Sequence, residues 1–451
     1  MDFRGKTISG TFFHAPHCGE IETLANALVT IGDDGRISQV VRSDDAGHGA
    51  ALDKARASGR LIEMPQGSYV LPGFIDLHIH APQYPQLGVA LDVPLEIWLH
   101  KYTFPLEARY ADLDFARQSY SCLIDDLAAN GTTTALMFAT VHLDATKLLA
   151  GLAIAKGLRA LVGKVVMDDP DACPEYYRDY SAEQGVAETR ALIDYIHAHP
   201  GNAEQRVLPV ITPRFIPSCT DAALKGLGDL AHETRAHVQT HCSESDWEHG
   251  FVWQRYGKTD AESLDSFGLL GRRTVLAHSN FISAGDMDLL KARGSGVAHC
   301  PLSNAYFSNA VFPLRAALEK GVHVGLGTDI SGGPSASILD TMRMCVASSR
   351  MLEDGVDAAH APAGRGTPQS RVDWQTAFHL ATAGGAKALD LATGSFAVGQ
   401  HFDAIVIDTA RPEGTIRLLG DALEPEDILA RIVYTASKPN IVTTIVGGTA
   451  I

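Results

Sequence analysis

The sequence predicts an α/β fold, a (β/α)₈ barrel of the TIM type with a small β-sandwich built from both chain ends. Three observations predict it. Eight short apolar, strand-like segments recur through the middle of the 451 residues, separated by longer helix-compatible stretches. Polar or ionisable residues arrive at the C-terminal ends of five of these strands, where barrels of this kind keep their chemistry. Both chain ends, by contrast, are β-rich.

The N-terminal part reads strand, turn, strand: 27–31, then Asp33-Asp34-Gly35-Arg36, then 37–41. Asp-Gly between apolar runs is a hairpin signal. Near the other end, 402–408 and 441–448 are rich in Ile and Val and read as strands. Residues 1–71 and 397–451 are therefore assigned to one composite sandwich and 72–396 to the barrel. The barrel strands are placed at 73–80, 132–140, 159–167, 207–215, 237–244, 274–280, 296–301 and 323–329. Helical stretches such as 182–199 and 224–235 fill the intervals.

Composition narrows the function. A net charge of −16 argues against a nucleic-acid or anionic-membrane surface, since both need clustered Lys and Arg. The seven cysteines are odd in number and scattered, which points to a reducing compartment, read here as cytoplasmic. The first residues lack a cationic start followed by an apolar run, and no apolar stretch reaches the roughly 20 residues of a membrane span.

Reading the strand ends in order assembles a constellation. Strand one, Phe74-Ile75-Asp76-Leu77-His78-Ile79-His80, places His78 and His80 on one face, because side chains alternate along a strand. Strand five ends in Thr240-His241-Cys242-Ser243-Glu244 and strand eight in Gly325-Leu326-Gly327-Thr328-Asp329. His78, His80, His241 and Asp329 offer three nitrogens and a carboxylate, a donor set for one divalent metal with a position left for water. Gly325 and Gly327 share the face of Asp329 and are expected to leave room beside that metal. Glu244, three residues after His241, is placed to move protons; otherwise it is a carboxylate opening a helix. His278, at the end of strand six, either steers the water or fills a structural place. Cys242 should point away from the barrel axis, and His299 and His323 read as structural. Lys164 lies on strand three, and strand four ends in Arg214 and Phe215.

The runs PGFIDLHIH, HCSE, AHS, AHCPLSN and GLGTD together resemble the amidohydrolase superfamily. Within it, PGFIDLHIHAPQYPQ at 72–86 and TPRF at 212–215 are similar to the guanine-deaminating branch. The resemblance implies zinc, with iron also compatible, on His78, His80, His241 and Asp329, and one metal rather than two, since the lysine that two-metal members place at the end of strand four has no counterpart there and Lys164 falls on strand three. It implies a proton shuttle at Glu244, water steering by His278 and Asp329, purine contacts at Gln83, Arg214 and Phe215, and a homodimer. The chemistry agrees. Arg214 offers only donors, suiting the O6 acceptor, Gln83 donates and accepts, and Phe215 can cover the ring. Two other readings stand beside this one. The same metal site serves another aminated heterocycle, a pterin or triazine, or the barrel is a non-catalytic scaffold. A scaffold would be expected to have lost metal ligands, and all four are intact.

Overall fold

All eight predicted barrel strands form, and each runs parallel to its neighbours. The computed structural model describes residues 1–308, 310–419 and 423–451. The strands are β1 Phe74–His80, β2 Thr132–Phe138, β3 Arg159–Gly163, β4 Val207–Pro213, β5 His237–Cys242, β6 Thr274–His278, β7 Gly296–His299 and β8 His323–Leu326. They lie in sequence order around the barrel. Most stop a few residues short of their predicted ends, because those last residues leave the ladder to line the mouth. β3 breaks at Lys164 and resumes as Val165–Val166 beside β4.

Closure between β8 and β1 happens at the mouth. Asp329 N donates to His78 O (2.8 Å) and His80 N to Ile330 O (2.7 Å). Asp76 accepts from the backbone N of Thr328 (3.0 Å) and from its hydroxyl (2.5 Å). The first and last barrel strands are thus tied where the candidate ligands sit.

Helices cover the strands as predicted, with Ala182–Ala198 and Asp221–Thr234 matching the two stretches named above. Ile79, Met137 and Val162 pack against Leu123, Leu127 and Leu149 of Leu113–Ala129 and Leu143–Lys156, one of the apolar seams between strands and helices. An unforeseen insertion follows β1: the short turns Leu95–Trp98, Leu99–Thr103 and Phe104–Ala108.

The β-rich ends come together as a single mixed sheet of eight strands rather than two separately bonded layers. Thr7–His14 pairs on one side with Glu22–Ile31 and on the other with Leu61–Glu63 and then Ser68–Pro72. Ala404–Asp408 and Ile441–Val446 extend it from the other chain end. Phe12, Val29, Ile37, Phe402 and Ile445 share one core, so the sheet encloses its own interior. The chain passes from this sheet into β1 at Gly73, where a Cβ would lie 2.1 Å from Thr133 Cγ2; only glycine fits. The sheet is also clamped to β3 by a buried bidentate pair, Arg159 Nε to Asp403 Oδ2 (2.8 Å) and Nη2 to Oδ1 (3.1 Å).

Several buried or partly buried histidines outside the candidate ligand set give the fold a pH dependence. Burial pushes His14, His237 and His401 down to about 4 and His299 to about 3. In the unfolded chain each titrates near ~6.5. As pH falls, the unfolded state binds these protons first, so stability is complete above that value and is lost progressively toward pH ~4. Thermal melts from pH 7.5 to 5 should show a falling midpoint; a flat profile would contradict the neutral buried imidazoles.

Candidate active site

His78 and His80 leave β1 on one face, and His241 from β5 and Asp329 after β8 meet them. His78 Nε2 lies 3.2 Å and His80 Nε2 3.6 Å from Asp329 Oδ1. His80 Nε2 faces His241 Nε2 at 3.0 Å. His241 Nδ1 lies 2.6 Å from the carbonyl of Arg214. A carbonyl only accepts, so Nδ1 carries the proton and the lone pair of Nε2 points into the cluster. Burial, reinforced by the neighbouring imidazoles, holds His80 and His241 well below the ordinary histidine value, so both are neutral. Burial alone would raise Asp329, but His78, His278 and His80 outweigh it and hold the carboxylate well below its usual range.

Several buried polar atoms here, among them His78 Nε2 and Asp329 Oδ1, have no hydrogen-bond partner among the described residues. Leaving such groups unsatisfied is costly. Neutral imidazole lone pairs converging on a carboxylate fit a divalent cation, and these are the donor atoms that would hold it.

Glu244 and His278 sit beside this cluster. His278 Nε2 is 3.8 Å from both Glu244 Oε2 and Asp329 Oδ2. Helix Asp246–Tyr256 begins only after Glu244, capped by Ser245, so the carboxylate is not serving a first turn. Its backbone is pinned instead: Glu244 N donates to Glu248 Oε2 (2.7 Å), and Asn280 Nδ2 to Glu244 O (2.9 Å). Burial raises the Glu244 pKa, partly opposed by His278, which suits a group that takes up and returns a proton. His278 Nδ1 is held by Asn304 Oδ1 (2.9 Å), itself fixed by Asn280 (2.7 Å). Ser243, His278, Ser279 and Asp329 all have positive φ. Left-handed backbone is uncommon for such residues and gathers where function over-determines it.

One cavity joins this cluster to the predicted purine contacts. Its lining includes His80, His241, Glu244 and Asp329 together with Gln83, Arg214 and Phe215, around an empty volume of ≈ 430 Å³. Leu95, Trp98 and Leu99 of the insertion after β1 also border it, with Ser303 and Phe307 after β7. No residue of the stretch 360–371 lines it; Ser370 N and Arg371 N bond to Glu353 at the end of helix Ile338–Asp354 (3.0 and 2.9 Å).

Some residues depart from the expected pattern and others follow it. Gly325 does not open space at the cluster: a Cβ there would strike Leu77 Cδ1 at 2.5 Å and Gly385 Cα at 2.7 Å, so it serves packing behind the strand. Gly327 lies against His78 and Cys300. Cys242 packs in the outer core, as alternation requires. Lys164 is fully buried on Asp179 (2.5 Å) and Glu188 (3.4 Å), both outside the cavity lining. Sequence reasoning missed Asp76, Asn280, Asn304 and Glu107. Asp76 shares the face of His78 and His80 by the same alternation and was open to discovery. Glu107, in Phe104–Ala108, carries no motif, yet its carboxylate binds Arg214 (2.7 Å) and Gln83 (2.8 Å).

Comparison with known proteins adds relatives to this geometry. The amidohydrolase family matches residues 69–451. The chain is 35% identical over 461 residues to the guanine deaminase of Dictyostelium discoideum, covering 99% of this chain and 98% of that one. It is 35% identical over 448 residues to that of Homo sapiens, covering 97% and 95%. The crystal structure of guanine deaminase from C. acetobutylicum with bound guanine in the active site superposes with a TM-score of 0.87 at 30% identity, covering 99% of each chain.

Proposed function

The chain belongs to the amidohydrolase family, among its guanine deaminases, and on that premise we propose that it hydrolyses guanine to xanthine and ammonia at the β-strand mouth. The observation that carries the reading is the shared cavity, lined by His80, His241, Glu244 and Asp329 as well as by Gln83, Arg214 and Phe215.

His78, His80, His241 and Asp329 would hold one divalent ion, zinc by family resemblance and iron by the same donors. When bound it supplies the acidity that makes a water nucleophilic near neutral pH. Glu244 takes the proton from the attacking water and passes it to ring N3 as the C2–O bond forms. A second transfer through the same carboxylate protonates the C2 amino group, and the C2–N bond breaks to release ammonia. His278 and Asp329 flank Glu244 and steer the attacking oxygen. Arg214 donates to O6, Gln83 meets the neighbouring edge and Phe215 covers the ring. Buried side chains around the cavity exclude bulk water and strengthen each of these contacts.

The free cysteines and the acidic balance accord with a cytoplasmic enzyme that takes a small purine and no nucleic acid, and the family resemblance alone suggests a homodimer. Among the described residues no helix is long and apolar enough to cross a membrane.

Substrate choice tests the reading. Adenine turns a donor toward the donors of Arg214 and has no C2 amino group to lose. A buried donor left unpaired costs about 1–3 kcal/mol, more for a charged one. Ammonia release from adenine should fall at least about 10²-fold below that from guanine; comparable rates would contradict the O6-reading role of Arg214.

A further inference from the structure

Resting on that reading, we infer that Glu107 is the positioning residue that sets which purine edge the pocket recognises. It does so by fixing both Arg214 and Gln83. Glu107 is fully buried. Its carboxylate accepts from Arg214 Nη1 at Oε2 (2.7 Å), and from Arg214 Nη2 (3.2 Å) and Gln83 Nε2 (2.8 Å) at Oε1.

The chemistry of these contacts is directional. A carboxylate only accepts, so Gln83 must turn its NH₂ toward Glu107. Its carbonyl then faces the other way, where Ser331 N donates to it (3.2 Å). One amide hydrogen and the rest of the carbonyl's accepting capacity remain for a ligand. Arg214 is held end-on by Glu107 and lies over the Phe104 ring, 5.0 Å from its centroid. Three of its five N–H bonds stay free of Glu107, in a fixed direction. Burial alone would lower the Arg214 pKa, but attraction to Glu107 outweighs it, so the guanidinium stays charged inside the protein. Glu107 also lies in the same insertion that brings Leu95, Trp98 and Leu99 to the cavity. It therefore joins that cover to the end of β4 and to the segment after β1.

A neutral amide at position 107 would release both constraints. It could donate to Gln83, allowing the amide to reverse, and it would leave Arg214 without its counter-charge.

The test compares two competitive inhibitors on the metal-loaded protein, hypoxanthine, which carries O6, and unsubstituted purine, which lacks it. In the wild type hypoxanthine should bind at least about tenfold more tightly, the scale of a hydrogen bond to a charged group. In Glu107→Gln that preference should collapse toward unity, because hypoxanthine loses affinity well beyond any loss for purine, with metal content unchanged. Glu107→Asp keeps the charge but withdraws the carboxylate, and should restore part of the preference, which keeps the test decisive if the glutamine variant does not fold. A parallel loss for both inhibitors, or an intact preference, overturns the role of Glu107. A wild type that binds both inhibitors without turning over guanine overturns the functional reading itself, and the inference with it.

Discussion

Replacing His80 with alanine is expected to remove the bound metal and catalytic turnover together. His80 Nε2 lies 3.0 Å from His241 Nε2 and 3.6 Å from Asp329 Oδ1, so its loss opens the donor set on the side facing the cavity. Disturbing only the groups that orient a ligand costs about 10–100-fold in affinity or activity. Losing a ligand should cost more, leaving protein with little metal and turnover reduced by at least about 10²-fold. Metal quantification beside steady-state rates checks this. Full metal occupancy in the variant would mean that the ion is held elsewhere.

Glu244→Gln should separate catalysis from metal binding. The amide keeps the shape and cannot carry the proton, so turnover should fall by about 10²–10⁴-fold while metal content stays at the wild-type level. A stability change of the opposite sense should accompany it. Burial raises the carboxyl pKa above its unfolded value, so the fold disfavours the ionised form. That penalty is complete above the folded-state pKa and vanishes as pH falls below the ordinary glutamate range. Glu244→Gln should therefore melt no lower than the wild type near pH 7.5, with any advantage fading in acid. Near-normal turnover would remove Glu244 from the mechanism.

Much of this site was legible because the barrel converts sequence position into spatial position. An apolar strand ending in two alternate histidines must present both at the mouth, and strands five and eight must bring His241 and Asp329 to the same rim. The strand runs themselves were legible because each is short, apolar and bounded by polar turns. What stayed hidden depends on long-range contacts. Glu107 lies 107 positions from Arg214 and in an unpredicted insertion, so nothing local marks it as the partner of two proposed substrate contacts. Asn280 and Asn304 support His278 and Glu244 through amide geometry that only the folded chain shows. Gly325 was misread because a missing side chain tells of close packing without saying what is close. Here the neighbours are Leu77 and Gly385. The ends of the chain were recognised as β-rich, but hydrogen bonding decides that they form one continuous sheet, and pairing partners cannot be read from strand propensity.

The central claim is that this cavity deaminates guanine rather than another aminated heterocycle. The most direct measurement is product analysis with metal-loaded protein offered guanine, a pterin and an amino-triazine in parallel, following ammonia and the ring product together. The account predicts xanthine and ammonia in equal amounts from guanine, and little from the other two: the pterin carries the same oxo and amino edge but a six-membered second ring in place of the imidazole, and the triazine has no second ring. Inert guanine with ready turnover of the pterin or the triazine would leave the metal site standing and contradict the substrate.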